Sequence, residues 1–174
     1  PAAAVAQRAV LGRVGHQLVH DERHGREGLW FEQDIDAVIN NALFTVDYSE
    51  MVIVKDIEFY SLCEHHLLPF TGVAHVAYLP AERLTGLGSI ARVVETVASR
   101  PQLQERLGED VAATLERALA PHGVLVVVDA QHGCVTARGT RQSGSTTVTV
   151  ASRGALADPV RRAEVMALLG RGTA

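Results

Sequence analysis

The order of apolar and polar positions divides the chain into segments with a helical period and segments with a strand period. Apolar residues recur every three or four positions over residues 3–20 and, more weakly, over residues 33–45, which predicts two N-terminal helices. The polar stretch 20–25 separates them. The period then changes to that of a strand at residues 51–60, with a bulge near the middle, and at residues 73–79.

Two longer helices are predicted in the second half of the chain. Apolar residues form a stripe over residues 90–97, and leucine or valine recurs every four residues from 103 to 119. Pro101 lies between these segments at a position that suits the first turn of the second helix. Further strands are predicted at 124–130, 134–138 and 145–151, and a short helix at 159–169.

This order of elements predicts an α+β fold in which an antiparallel sheet carries the two long helices on one face. With 174 residues, 47% of them hydrophobic, the chain has the usual size of one domain and enough apolar surface for a core. We expect a helical extension at residues 1–48 and a compact domain at 49–174.

Charge and composition exclude several classes of function. Sixteen basic and 20 acidic residues give a net charge of −4, which argues against general binding to nucleic acid. No apolar run approaches the length of a membrane span, and residues 1–10 do not have the pattern of a secretory signal. Two cysteines are too few for a disulfide framework. We therefore expect a cytoplasmic protein that binds no nucleic acid and no membrane.

A turn between the first two strands of the predicted sheet holds the most reactive side chains. Cys63 and His66 stand three residues apart in Cys-Glu-His-His, and Cys134 follows His132 at another strand junction. A thiolate, an imidazole and a second thiolate form a Cys₂His set that suits zinc and leaves a fourth position open. His65 and His132 would then lie beside the metal as proton donors and acceptors.

Other interpretations of these residues stay open on chemistry alone. Cys63 and Cys134 also suit the role of small core residues, or could pair as a disulfide. An ordinary capped helix start also contains residues like those of Arg100-Pro101-Gln102-Leu103-Gln104-Glu105-Arg106. Arg138 could belong to a plain basic turn. His75 suits a strand face.

Taken together, the motifs resemble the GTP cyclohydrolase I family of the tunnelling-fold superfamily. They span residues 51 to 156 in the family's order and with similar spacing. The matching segments are Val54-Lys55-Asp56-Ile57, Ser61-Leu62-Cys63-Glu64-His65-His66, Gly86-Leu87 with Ile90 and Arg92, Arg100–Leu107, Asp129-Ala130-Gln131-His132-Gly133-Cys134 and Ala137-Arg138-Gly139.

The resemblance implies a cyclic-amidine hydrolase that contains zinc. Cys63, His66 and Cys134 match the family's zinc ligands, and His65 and His132 match its proton-transfer histidines. The expected reaction is attack of water at C8 of guanine, opening of the imidazole ring and release of formate. The expected product from GTP is 7,8-dihydroneopterin triphosphate.

The resemblance also implies a substrate-binding set and an assembly. Glu105 would accept hydrogen bonds from N1–H and the 2-amino group of guanine, a pair that adenine lacks, and arginines would face the triphosphate. The family assembles as a homodecamer of two pentamers with sites at subunit junctions. The substrate-binding residues implied here are Leu103, Gln104, Glu105, Arg92, Arg138 and Ser89.

The chain departs from the family's pattern where phosphate and ribose are bound. The family has Ser-Lys after Gly-Leu, whereas this chain has Gly88-Ser89, and a second phosphate-facing lysine corresponds, in a weak alignment, to His16. Lys55 is the only lysine. Three hypotheses follow: an ordinary GTP cyclohydrolase I, a divergent hydrolase that acts on a less phosphorylated guanine nucleotide or nucleoside or stops at an opened pyrimidine, and an inactive homologue that retains zinc.

Overall fold

A four-stranded antiparallel sheet is the centre of the fold in the computed structural model, which describes Ile39 and residues 43–45 and 48–170. Its strand order is β2-β3-β5-β6, and a short pair, β1 with β4, lies outside it. The strands are β1 (Leu43–Thr45), β2 (Val52–Leu62), β3 (Pro69–Leu79), β4 (Arg83–Thr85), β5 (Gly123–His132) and β6 (Thr147–Gly154).

Two long helices follow β4 in sequence and cover one face of the sheet. Their apolar stripes contact alternate residues of the strands, and together they form the main core. The helices are α1 (Leu87–Ala98), α2 (Gln104–Leu119), α3 (Gly133–Thr136) and α4 (Pro159–Gly170), and a short 3₁₀ helix spans Ala155–Ala157.

A smaller core lies on the opposite face of the sheet. Leu125 and Val127 of β5 form it with Leu156 of the 3₁₀ helix and Val165 of α4. Because β5 contacts apolar groups on both faces, its first six residues are all buried. Each fully buried leucine or valine contributes about 1.5–3 kcal/mol to folding.

The predicted bulge in β2 is confirmed, and it lies next to Lys55. The register with β3 shifts between Val54 and Ile57, and Asp56 adopts a left-handed conformation with φ of 57°. The Asp56 N–H donates to His75 Nδ1 at 3.0 Å. Next to the bulge, Lys55 Nζ donates to the Leu169 carbonyl of α4 at 3.0 Å.

Three predictions about local structure are wrong. Residues 43–45, which we predicted as the end of a helix, form β1 because they pair with β4, a partner that the local period does not reveal. Residues 134–138, which we predicted as a strand, begin inside α3. Pro101 precedes α2 instead of lying in its first turn, because the backbone of Gln102 bonds to the end of β2.

The other predicted strands and helices from β2 onward are confirmed, including the C-terminal helix. The predicted helix over residues 3–20 and most of the one over 33–45 lie outside the described residues, although Ile39 is helical and buried. The division at residues 48 and 49 stays a prediction. Among the described residues, no helix has the length and apolar character that crossing a membrane requires.

Candidate metal centre and its surroundings

A tight turn after β2 folds His66 back over Cys63. The N–H groups of His66 and Leu67 both donate to the Cys63 carbonyl, at 3.2 and 2.8 Å, and the Cys63 N–H donates to the Leu68 carbonyl at 2.8 Å. Leu67 takes a left-handed conformation with φ of 51° to close this turn. As a result, Cys63 Sγ lies 3.8 Å from His66 Nδ1.

The pairing of β3 with β5 brings Cys134 to the same place. Phe70 lies opposite His132 in the sheet, so β5 ends beside the turn that carries Cys63. Gly133 then passes so close to β3 that a Cβ there would lie 2.8 Å from the Pro69 carbonyl oxygen. Cys134 follows in the first turn of α3.

The two segments gather one ligand atom each from Cys63, His66 and Cys134 within 4.8 Å of one another. Cys63 is 7% exposed and belongs to the main core, Cys134 is half-buried, and His66 is exposed. Both cysteines are free thiols. Two sulfurs and one imidazole gathered in this way form a group that could hold a metal ion.

Burial and proximity change the pKa values around this cluster. Burial, followed by the neighbouring Cys63 thiol, raises the pKa of Cys134. Burial lowers the pKa of His132, while the carboxylate of Glu105 acts in the opposite direction.

A buried hydrogen-bonded group lies directly behind the turn. Gln102 is 1% exposed, and its side-chain amide donates to the Val97 carbonyl and to Asp110 Oδ2, both at 3.2 Å. Arg100 donates to the same Asp110 oxygen at 2.6 Å. This group fixes the segment before α2, and α2 begins with the residues predicted to bind substrate.

A surface ion pair joins the turn to α2 from the outside. Arg106 Nη1 lies 2.8 Å from Glu64 Oε2, and both side chains are about half exposed. Such a pair contributes at most about 1 kcal/mol, so it helps orient the turn and does little for overall stability.

The ring of His132 is held on two sides. It stacks on the ring of Phe70, with centroids 4.7 Å apart and planes 3° from parallel. Its Nε2 lies 2.6 Å from Oε1 of Gln104. The position of this imidazole is therefore fixed beside Cys134.

Gln104 is itself almost completely buried, with 2% exposure. Its amide nitrogen donates to the Val128 carbonyl at 3.0 Å and to the Thr147 carbonyl at 2.7 Å, with Thr149 Oγ1 at 3.3 Å. The side chain therefore has no free donor for a purine. The contact that the resemblance implied for this residue would have to come from its backbone.

The remaining predicted site residues differ in their distance from the cluster. Glu105 is exposed in the first turn of α2, and its carboxylate acts to raise the pKa of His132. Leu103 is the residue before that helix. His65 is exposed in the turn, and its ring meets that of His66 edge to face at 6.0 Å. Arg138 is exposed after α3 and acts electrostatically on Cys134.

Two predicted residues lie apart from the cluster, on α1. Ser89 is half-buried and Arg92 is exposed, and within the described part of the chain no hydrogen bond or ion pair connects either to the turn at Cys63. Gly88 is exposed, with no atom within 4 Å of where a Cβ would be. Lys55, the only lysine in the sequence, donates to the Leu169 carbonyl of α4.

Two residues near the cluster, Phe70 and Asp110, are not among those predicted from the sequence. Phe70 follows Pro69 directly after the turn, so its place next to the predicted cluster was a usable signal. Asp110 lies on the polar side of α2, two turns after its start, and nothing in the local pattern distinguishes it from an ordinary surface carboxylate.

Comparisons with known proteins agree on one family. A family model described as GTP cyclohydrolase I matches residues 23–170. A GTP cyclohydrolase 1 of Leifsonia xyli is 60% identical over 126 residues, which are 72% of this chain and 66% of that protein. One of Geobacillus is 56% identical over 129 residues, 73% of this chain and 69% of that protein. One of Rhodopirellula baltica is 55% identical over 74% of this chain and 57% of that protein.

A solved structure shares the fold at low sequence identity. The crystal structure of an apo archaeosine synthase QueF-Like superimposes with a TM-score of 0.52 at 20% identity, covering 62% of this chain and 97% of that one. The α+β architecture with an antiparallel sheet is therefore that of the tunnelling fold.

Proposed function

This chain belongs to the GTP cyclohydrolase I family, and from that membership we propose that it opens the imidazole ring of GTP at C8 and releases formate, forming 7,8-dihydroneopterin triphosphate. The observation that carries the proposal is the convergence of Cys63, His66 and Cys134 beside the fixed ring of His132. A metal site with an adjacent proton carrier is what hydrolysis of a cyclic amidine requires.

The donor set fits a zinc ion. Cys63, His66 and Cys134 would hold it, since two thiolates and an imidazole are ligands that zinc accepts and hard cations such as magnesium do not. When bound, zinc supplies Lewis acidity and lowers the pKa of water enough to make it a nucleophile near neutral pH. The partial exposure of the cluster leaves the substrate a path to it.

Proton transfer falls to the two histidines that are not ligands. His132 is held by Phe70 and Gln104, so it can exchange a proton with the purine without losing its position. His65 is exposed and free to approach the ring as it opens. Ring opening and loss of formate each need a proton at nitrogen, which accounts for two such groups.

Recognition of guanine is assigned to Glu105. Its exposed carboxylate stands in the first turn of α2 next to His132 and can accept from N1–H and the 2-amino group together. Adenine lacks this pair of donors, so the contact would select guanine. Leu103 and the backbone of Gln104 would line the same edge of the purine.

A second candidate is a divergent hydrolase whose substrate carries less phosphate. What favours it is the absence of lysine from α1 together with the bond from Lys55 to Leu169. Arg92 and Arg138 would then be the main cations for any phosphate, with Ser89 in place of a lysine. A missing charge-assisted contact costs about 1.5–3 kcal/mol in binding.

We also propose a homo-oligomer, with the decamer of two pentamers as the expected form. In the described part of the chain β2 and β6 are the edge strands of the sheet, and Val148 and Val150 of β6 are 54% and 43% exposed. Edge-to-edge pairing of subunits would cover both. Ten chains of 18.7 kDa give a mass that light scattering separates from a pentamer or a monomer.

The test is a zinc-replete incubation with GTP, GDP, GMP and guanosine in parallel, in which formate and the mass of the product are measured together. A dihydroneopterin triphosphate mass from GTP supports the proposed enzyme. Turnover confined to the less phosphorylated substrates, or an opened pyrimidine as the final product, supports the second candidate. Zinc binding without formate from any of the four would overturn both in favour of an inactive homologue.

A further inference from the structure

The amide group of Gln104 can take only one orientation. Its nitrogen faces the carbonyl oxygens of Val128 and Thr147, at 3.0 and 2.7 Å, and a carbonyl oxygen can only accept a hydrogen bond. The reverse orientation would place Oε1 against both carbonyls and leave the amide nitrogen facing His132. Oε1 is therefore the atom that faces His132 Nε2 at 2.6 Å.

This orientation decides where His132 carries its proton. Oε1 of an amide is an acceptor, so Nε2 of His132 must be the donor. In the neutral ring the other nitrogen, Nδ1, is then unprotonated. We propose that Gln104 is a positioning residue that holds His132 as the Nε2–H tautomer and so makes Nδ1 the nitrogen that exchanges a proton with the substrate.

The residues around His132 restrict its ring to one orientation. Gln104 is 2% exposed and lies on the first turn of α2, so water does not compete for its oxygen. The stack on Phe70 fixes the plane of the imidazole, and the hydrogen bond fixes its rotation within that plane. A ring held in this way cannot turn to present Nε2 to a substrate.

The role in catalysis rests on the proposed function, whereas the tautomer does not. The first experiment therefore uses the zinc-loaded wild-type protein labelled with ¹⁵N in its histidine rings, and reads the ring nitrogens by magic-angle-spinning NMR at a pH well above the usual imidazole pKa. The spectrum of His132→Asn identifies the signals of His132. We expect a protonated Nε2 and an unprotonated Nδ1; a protonated Nδ1 would overturn the inference.

A pair of variants tests the positioning role. Gln104→Met removes the acceptor, so the His132 signals should shift or split between tautomers. Gln102→Met removes a buried amide from the same segment without touching His132, and should leave those signals unchanged. Equal changes in the two variants would mean that the effect is general loosening of the structure, which contradicts the proposal.

Kinetics then separate positioning from contact with the purine. A proton-transfer group contributes roughly 10²–10⁴-fold to the rate. Because Gln104→Met removes only the group that positions it, kcat for formate release should fall by part of this range, at least about tenfold. KM for GTP should stay nearly unchanged. A raised KM with unchanged kcat would place the side chain on the substrate and overturn the proposal. If the wild-type protein releases no formate, the proposed function fails, and the NMR spectrum still decides the tautomer.

Discussion

Gln102 and Cys63 are joined by a parallel β-bridge that connects the candidate metal centre to the start of α2. The Gln102 N–H donates to the Leu62 carbonyl at 2.8 Å, and the Glu64 N–H donates to the Gln102 carbonyl at 3.0 Å. A ligand of the proposed metal and the residues proposed to bind guanine are therefore parts of one hydrogen-bonded unit. The distance between them does not depend on a flexible loop.

This unit should lose stability when its internal acceptor is removed. Asp110→Ala takes the partner from Arg100 and from the buried amide of Gln102, so we expect the free energy of unfolding to fall by about 1–3 kcal/mol. Urea denaturation of the zinc-replete protein measures it. Glu109→Ala is the control, since it removes only a surface pair with Arg153 and should stay within about 0.5 kcal/mol. Equal losses would contradict the role given to Asp110.

Zinc binding should depend on both segments of the cluster. Cys134→Ser and His66→Asn each remove one of three ligand atoms, and we expect each to weaken zinc binding by more than the roughly 10–100-fold that loss of an outer partner of a ligand costs. Metal content after purification and competition with a chromophoric chelator give the affinity. His122→Asn changes an exposed histidine outside the cluster and should bind zinc like the wild type. Unaltered affinity in Cys134→Ser would refute the site.

Replacing the carboxylate of Glu105 should weaken guanine recognition. Glu105→Gln replaces one acceptor oxygen by a donor that opposes the 2-amino group or N1–H. A charge-assisted contact of about 1.5–3 kcal/mol corresponds to a loss of about 10- to 150-fold in kcat/KM, measured as initial rates of formate release. Glu109→Gln, one turn further along α2, should leave the rate unaffected. A rate for Glu105→Gln close to the wild type would remove this residue from the site.

Two substitutions at the start of α1 should strengthen binding of the GTP phosphates. Gly88→Ser with Ser89→Lys introduces the family's pair at a position where a new Cβ meets no atom within 4 Å. We expect KM for GTP to fall by about tenfold or more, while KM for guanosine, which carries no phosphate, stays the same. If the double change does not alter KM for GTP, phosphate binding does not involve this end of α1.

The local half of the candidate site could be predicted from the sequence, because its residues lie within one turn. Cys63 and His66 are three positions apart, and no distant contact is needed to bring them together. Cys134 is harder to place from the sequence, because its position depends on the register of β3 with β5. The chemistry of its neighbours suggested it, and the resemblance to a family supported it.

The errors arose where a distant partner or a close backbone approach decides the conformation. Leu43 fits a helical stripe, yet it pairs with Thr85 in β1 and β4. The segment after His132 contains β-favouring residues, yet it turns into α3 because Gly133 packs against Pro69. The sequence likewise does not reveal that α2 packs the side-chain amide of Gln104 against the carbonyls of β5 and β6.

The candidate ligands come from two segments that lie far apart in the sequence, so a bound ion would affect the stability of the fold. Cys63 and His66 belong to one turn, while Cys134 stands 71 positions after Cys63. An ion that links the two segments would act as a removable cross-link across that length. Such a link is worth about 4 kcal/mol through the entropy of the unfolded chain. Melting temperature would then follow the supply of zinc, and a chain deprived of it would be more exposed to proteolysis.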